Sequence, residues 1–184
     1  VSGAIEMVLQ VVFLLSFQIM AGFAYRQLVL IIAFFMTGLA VGAGWISRQN
    51  HCLSKAIAIR KRFIVVQVLV CGLPLGLMLI LPLIQGQIRI FVSPAALGWL
   101  FAGLSLTAGI LGGVHFALAV KVAAGTGIAL EKIGGGFYAL DLAGAAAGVL
   151  MATLFIIPIY GIYNTLIFLS AFAGISLLTL LRQP

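Results

Sequence analysis

The sequence predicts an all-α membrane protein, six transmembrane helices packed as a single bundle over residues 1–184. Three observations predict it. First, 64% of the 184 residues are hydrophobic and only 7% are charged, whereas soluble domains carry roughly 25% charged residues. Second, the apolar residues form six runs, each near the ~20 residues a helix needs to cross a bilayer. Third, the basic residues gather in the breaks between those runs, where membrane topology explains them.

The first span covers residues 3–24 and carries Glu6, Gln10 and Gln18. A very short turn around Arg26 leads to the second, 28–46, in which Gly38 and Gly42 form GxxxG. The third, 63–84, repeats the motif at Gly72 and Gly76 and contains Pro74 and Pro82. Pro74 is expected to kink it, because proline removes a backbone donor. The fourth, 94–122, has Gly109 and Gly113. The fifth, 136–157, opens after the backbone-breaking Gly134-Gly135-Gly136 and has Gly144 and Gly148. The last is 162–181. All four glycine pairs are expected to pack helix on helix, since a face without side chains lets another helix come close.

The fifth span organises the rest. Its one charge is Asp141, from which Gly144, Ala145, Gly148 and Ala152 fall at +3, +4, +7 and +11 on a single helical face. Asp141 heads that face and so points at protein.

Orientation follows from the connections. With six spans, one side carries Arg48, Lys55, Arg60, Lys61, Arg62, Lys121, Lys132 and Arg182, and the other only Arg26 and Arg89. The positive-inside rule places the first set, with both termini, in the cytoplasm. The basic segment 47–62 reads either as a solvated topogenic loop or as a surface helix on anionic head groups. The inner membrane of a bacterium or archaeon is the expected location. No signal-peptide pattern is read, and the start at Val1 without Met suggests a piece of a longer polypeptide or a partly ordered one.

Composition also sets aside some functions. The net charge of +7 is not arrayed on a solvated face between aromatics, so nucleic acid is not expected as a partner. Cys52 and Cys71 fall in a loop and a span. They imply neither a disulfide framework nor a metal site. His115 lies within the fourth span. The other histidine, His51, is in a loop and no CxxCH occurs, so no haem or other cofactor is expected. Paired catalytic carboxylates, a nucleophile with its base and a metal cluster are all missing from the pattern, and no catalytic residue is assigned.

Ionisable groups in lipid need a partner or water, so each invites a reading. Asp141 reads as a cation or proton site suited to a protonated amine. Alternatively it is a cap-region carboxylate near the positive end of its helix, with Lys121 or Lys132 as partner. Glu6 and Gln10 stand one turn apart on one face, as a polar patch or as groups in the head-group zone. Asp141, Glu6 and Gln10 are therefore the candidate substrate-binding residues. Gln18 and Gln67 are expected to hydrogen-bond between helices. Trp45, Trp99 and Tyr138 fit interfacial anchoring near span ends.

The residues also resemble a known family. The SG opening, the turn FQ-x3-G at residues 17–22 and FMTGLAVG at 35–42 resemble the start of a membrane half in spermidine synthase-like integral membrane proteins of the fused major-facilitator type. GGGFYALDLAGAAAG at 134–148, followed by IPIYG, resembles that family's aspartate helix. Together they cover about half the chain, in the family's order. The resemblance implies a bundle like one half of a major facilitator. It also implies, as a partner, a cytoplasmic aminopropyltransferase-like Rossmann domain or a second six-helix half. The Rossmann chemistry is not carried over. Phe137 follows the triple glycine where the family's loop has an acid, and Leu130 follows Gly125-x-Gly127 where a dinucleotide fingerprint wants glycine.

Two functions follow as expectations. One is a non-catalytic membrane domain handling a small cationic substrate such as a polyamine. The alternative is a structural or anchoring subunit of a larger complex.

Overall fold

The computed structural model describes residues 2–22, 25–48, 56–84, 86, 93–124 and 130–182, and all elements in them are helical. In chain order these are α1 (Ser2–Ala21), α2 (Tyr25–Arg48), α3 (Ala56–Leu83), α4 (Pro94–Ala124), α5 (Leu130–Met151), a π-helical turn (Ala152–Ile156) and α6 (Ile157–Arg182). His51, Cys52, Lys55, Arg89 and Gly125-x-Gly127 lie outside the described residues, as do the side chains of Arg60, Lys132 and Arg182.

Five helices are long and apolar enough to cross a membrane, the last running from Gly134 to Leu180 over 47 residues. This differs from the six separate spans expected, because the runs 136–157 and 162–181 are joined through the π-helical turn. The join is bent at one residue. Gly161 has φ 77° and ψ 175°, outside helical space. Side chains cover the carbonyls there: Asn164 Nδ2 donates to the Tyr160 carbonyl (2.9 Å) and Thr165 Oγ1 to that of Gly161 (2.7 Å). Beyond the bend the chain comes back. Ser176 and Leu180 line the same cavity as Phe137, Leu140 and Asp141, whereas a straight helix would set residues 141 and 176 about 50 Å apart at 1.5 Å per residue.

Local chemistry explains the other ends. α1 stops at Gly22, whose φ of 77° suits glycine and whose N–H closes on the Gln18 carbonyl at 2.9 Å. The turn therefore comes at Gly22, before Arg26, which is already in α2. Ser93 caps α4, with its hydroxyl accepting from the Ala96 N–H at 3.3 Å, and Pro94 takes the first helical position, where a missing N–H costs nothing. α5 runs straight through Gly134-Gly135-Gly136, contrary to the expected break. α3 is helical on both sides of Pro74 and Pro82.

α1 is the centre of the bundle. Ile5, Leu9, Val12, Phe13 and Phe17 along it are all at most 2% exposed. Phe13 and Phe17 meet Phe101 of α4 edge-on, at 6.5 and 5.8 Å between ring centroids. Leu9, Val12, Ile31 and Phe35 fill in around them. α1 and α4 are antiparallel, and the most extensive pairing is α2 on α4.

That pairing is built from two glycine pairs. A Cβ added at Gly38 would strike the Leu106 carbonyl oxygen, and one at Gly42 that of Ile110. From the other side, Cβ atoms at Gly109 and Gly113 would strike the carbonyls of Phe35 and Leu39. The two helices run parallel, backbone against backbone. Gly148 of α5 similarly meets Ala4 of α1, where an added Cβ would lie 2.8 Å from the alanine Cβ. Gly72, Gly76 and Gly144 are different: nothing lies within 4 Å of a Cβ built there. Their expected packing role is corrected accordingly. Gly72 and Gly76 line an open apolar groove with Phe13 and Leu104.

Candidate functional site

Glu6, Gln67, His115, Asp141 and Ser176 line two cavities at the end of the bundle that holds the start of α1 and the end of α6. Asp141 is brought there by the face the sequence marked. Ala145 and Ala152 are buried and Gly148 rests on Ala4, so α5 lies along α1 with Asp141 beside the first turn of α1. Its Oδ1 accepts the Gly3 backbone N–H at 2.8 Å. The first N–H groups of a helix have no partner within it and favour a negative group. Asp141 is thus a helix-cap carboxylate, but for α1. In its own helix it lies eleven residues beyond Leu130, outside the reach of that dipole.

Glu6 reaches the same place from the next turn of α1. Its carboxylate lies against Gly112 of α4, where an added Cβ would have to push it aside. Glu6 and Asp141 line one cavity of about 330 Å³, with Gly3, Met36, Phe116 and Tyr138 among its walls. Glu6 Oε1 is buried and has no hydrogen-bond partner among the described residues.

Gln10 separates from the two acids. It is buried, and its Oε1 lies 2.6 Å from the Ser105 hydroxyl, which also stands 3.0 Å from the Ile31 carbonyl. The Glu6–Gln10 stripe therefore lies along α4, Glu6 opposite Gly112 and Gln10 opposite Ser105. Ser105 gave no signal in the sequence, since its partner is 95 residues away.

A second cavity, about 270 Å³, adjoins the first at Asp141 and Phe116, which line both. Phe63, Gln67, His115 and Ser176 complete its polar and aromatic wall. Gln67 and His115 are buried. Tyr138, expected as an interfacial anchor, is 60% exposed and its ring meets Phe116 edge-on at 6.4 Å. A further cavity, about 570 Å³, lies between α1, α5 and α6 and is lined almost wholly by apolar groups, unlike the two that Asp141 lines.

Lys121, expected near Asp141, donates its ammonium to the Ile46 carbonyl at 2.5 Å, a cation on the last turn of α2 where the helix dipole favours one. Among the described residues no group of three His, Cys, Asp or Glu could hold a metal ion.

Searches for a matching family model, a similar curated protein and a similar solved structure found no match. The site must therefore be read from its own chemistry: two carboxylates converge on one cavity within an apolar bundle, a setting suited to a cation or a proton.

Proposed function

We propose that this chain is the membrane domain of a spermidine synthase-like integral membrane protein, non-catalytic in itself, which takes a small cationic substrate such as a polyamine between Glu6 and Asp141. The observation that carries this reading is the shared cavity of the two acids. An ammonium group there gains two carboxylates and offers donors to the unpartnered Glu6 oxygen.

The 47-residue stretch from Gly134 to Leu180 makes two crossings in this reading, giving six in all. At 1.5 Å per residue it is about twice as long as a ~30 Å hydrocarbon core requires. Both termini then lie on the cytoplasmic face of a bacterial or archaeal inner membrane. A bundle of this size is one half of a major facilitator, completed by a second half or joined to a soluble Rossmann domain.

Titration of spermidine into the chain reconstituted in lipid nanodiscs tests the reading. Saturable binding is expected, weakened about tenfold or more in Glu6→Gln, as loss of a charge-assisted contact predicts. Absence of binding, or equal binding by the variant, contradicts it. The second reading, a structural or anchoring subunit, is favoured by the backbone-level crossing of α2 and α4, and absence of binding would leave it standing.

A further inference from the structure

The second cavity holds a group that cation binding at Glu6 does not use. His115 is 5% exposed, and its ring lies nearly parallel to that of Phe63, 18° between planes and 4.9 Å between centroids. Both ring nitrogens are buried without a hydrogen-bond partner among the described residues. A neutral imidazole has one donor and one acceptor, and leaving both unmet in an apolar bundle is costly. A phenylalanine would fill the same space without that cost. His115 and Asp141 line the same cavity.

We propose that His115 is a proton-binding residue paired with Asp141 across the cavity that they share. The charged and titratable surroundings suit this. α3 contributes Phe63 and Gln67, and α6 contributes Ser176, none of which ionises. α5 contributes Asp141. From α1, the Glu6 carboxylate lies against Gly112, one turn from His115 on α4. Lys121, further along α4, is bonded to the Ile46 carbonyl. Lys61 and Arg62, beside Phe63 in sequence, are exposed. Asp141 is therefore the acid that shares the ring's cavity among the described residues.

The step is simple. The ring nitrogen without hydrogen takes a proton from hydronium, leaving water, no bond in the protein breaks, and the resulting positive charge shares its cavity with the Asp141 carboxylate. Release of that proton to water leaves the cavity pair more negative. Where the Glu6–Asp141 site takes a cation, as proposed above, proton and cation compete for the same carboxylate field. Each then weakens the other by the same factor.

Nitrogen-15 NMR of histidine-labelled full chain in nanodiscs, from about pH 4 to about pH 9, brackets the ordinary histidine range and tests the pairing. His51→Gln assigns the two histidine signals. The expected result is that His115 titrates in this window. In Asp141→Asn its midpoint falls by about one unit or more, the size expected for loss of a nearby opposite charge. Asp141→Glu keeps most of the wild-type midpoint. A His115 signal constant across the window in the wild type, or a midpoint unmoved by Asp141→Asn, overturns the proposal. Saturating spermidine is expected to lower the wild-type midpoint. If His115 titrates with Asp141 and spermidine leaves it unmoved, the proton pair stands and the cation reading fails.

Discussion

The Asp141 carboxylate accepts a hydrogen bond from the backbone N–H of Gly3 at 2.8 Å, although 138 residues separate the two. One side chain thus ties the middle of α5 to the first turn of α1, and it also lines both polar cavities, as Phe116 does. Asp141→Ala is expected to destabilise the bundle by about 1–2 kcal/mol, the usual cost of losing a cap. Asp141→Asn keeps an acceptor and should cost less. Thermal unfolding of the purified variants in detergent measures the order, and equal losses would show that the bond to Gly3 contributes nothing.

The glycines of α2 and α4 set a sharper contrast. Gly42→Ala or Gly109→Ala drives a methyl group into a facing carbonyl, and about 1–3 kcal/mol of destabilisation is expected from overpacking. Gly76→Ala and Gly144→Ala enter open space and should be neutral or slightly stabilising, since alanine is the better helix former. The same unfolding assay across the four variants checks the pattern.

Gln10 and Ser105 should behave as a pair. Ser105→Ala leaves the buried Gln10 oxygen, 2.6 Å from the hydroxyl in the native chain, without that donor, at about 1–3 kcal/mol. Adding Gln10→Leu removes the stranded amide, so the double variant should lose less than the two single losses added. A double-mutant cycle reads this coupling, and simple additivity would show that the two groups act independently.

Gly161 carries the reversal of the last apolar stretch. Its φ of 77° with ψ of 175° belongs to a region essentially restricted to glycine, and forcing another residue into it costs of order 1–3 kcal/mol. Gly161→Ala should therefore destabilise the bundle, while Gly174→Ala, inside α6 with open space around it, should not.

Much of the helical layout was legible because a membrane helix announces itself by length and apolarity alone. The face from Asp141 to Ala152 was legible too, because helical spacing fixes which residues share a side. The partners of that face were not. Gly38-x-x-x-Gly42 and Gly72-x-x-x-Gly76 are the same motif, yet only the first finds another backbone, because a bare face carries no address. Gln10 was grouped with Glu6 by spacing, but its hydrogen bond goes to Ser105, which only the fold brings near. The triple glycine misled for a different reason. In lipid the backbone has no water to turn to, so helix persists where glycine would loosen it in water. That continuation to Leu130 moved Asp141 away from the start of its own helix and made it a cap for another.

The measurement that tests the account most directly is the distance between spin labels at Phe137→Cys and Leu180→Cys, in a background with Cys52→Ser and Cys71→Ser. The whole polar end depends on the chain turning back at Gly161 so that α6 returns to Asp141. Folded back, the labels on neighbouring helices, whose axes pack about 8–10 Å apart, should lie within about 25 Å of each other. A distribution centred near 65 Å, the length of an unbroken helix between these residues at 1.5 Å per residue, would contradict the fold-back and with it the cavity that Asp141, His115 and Ser176 share.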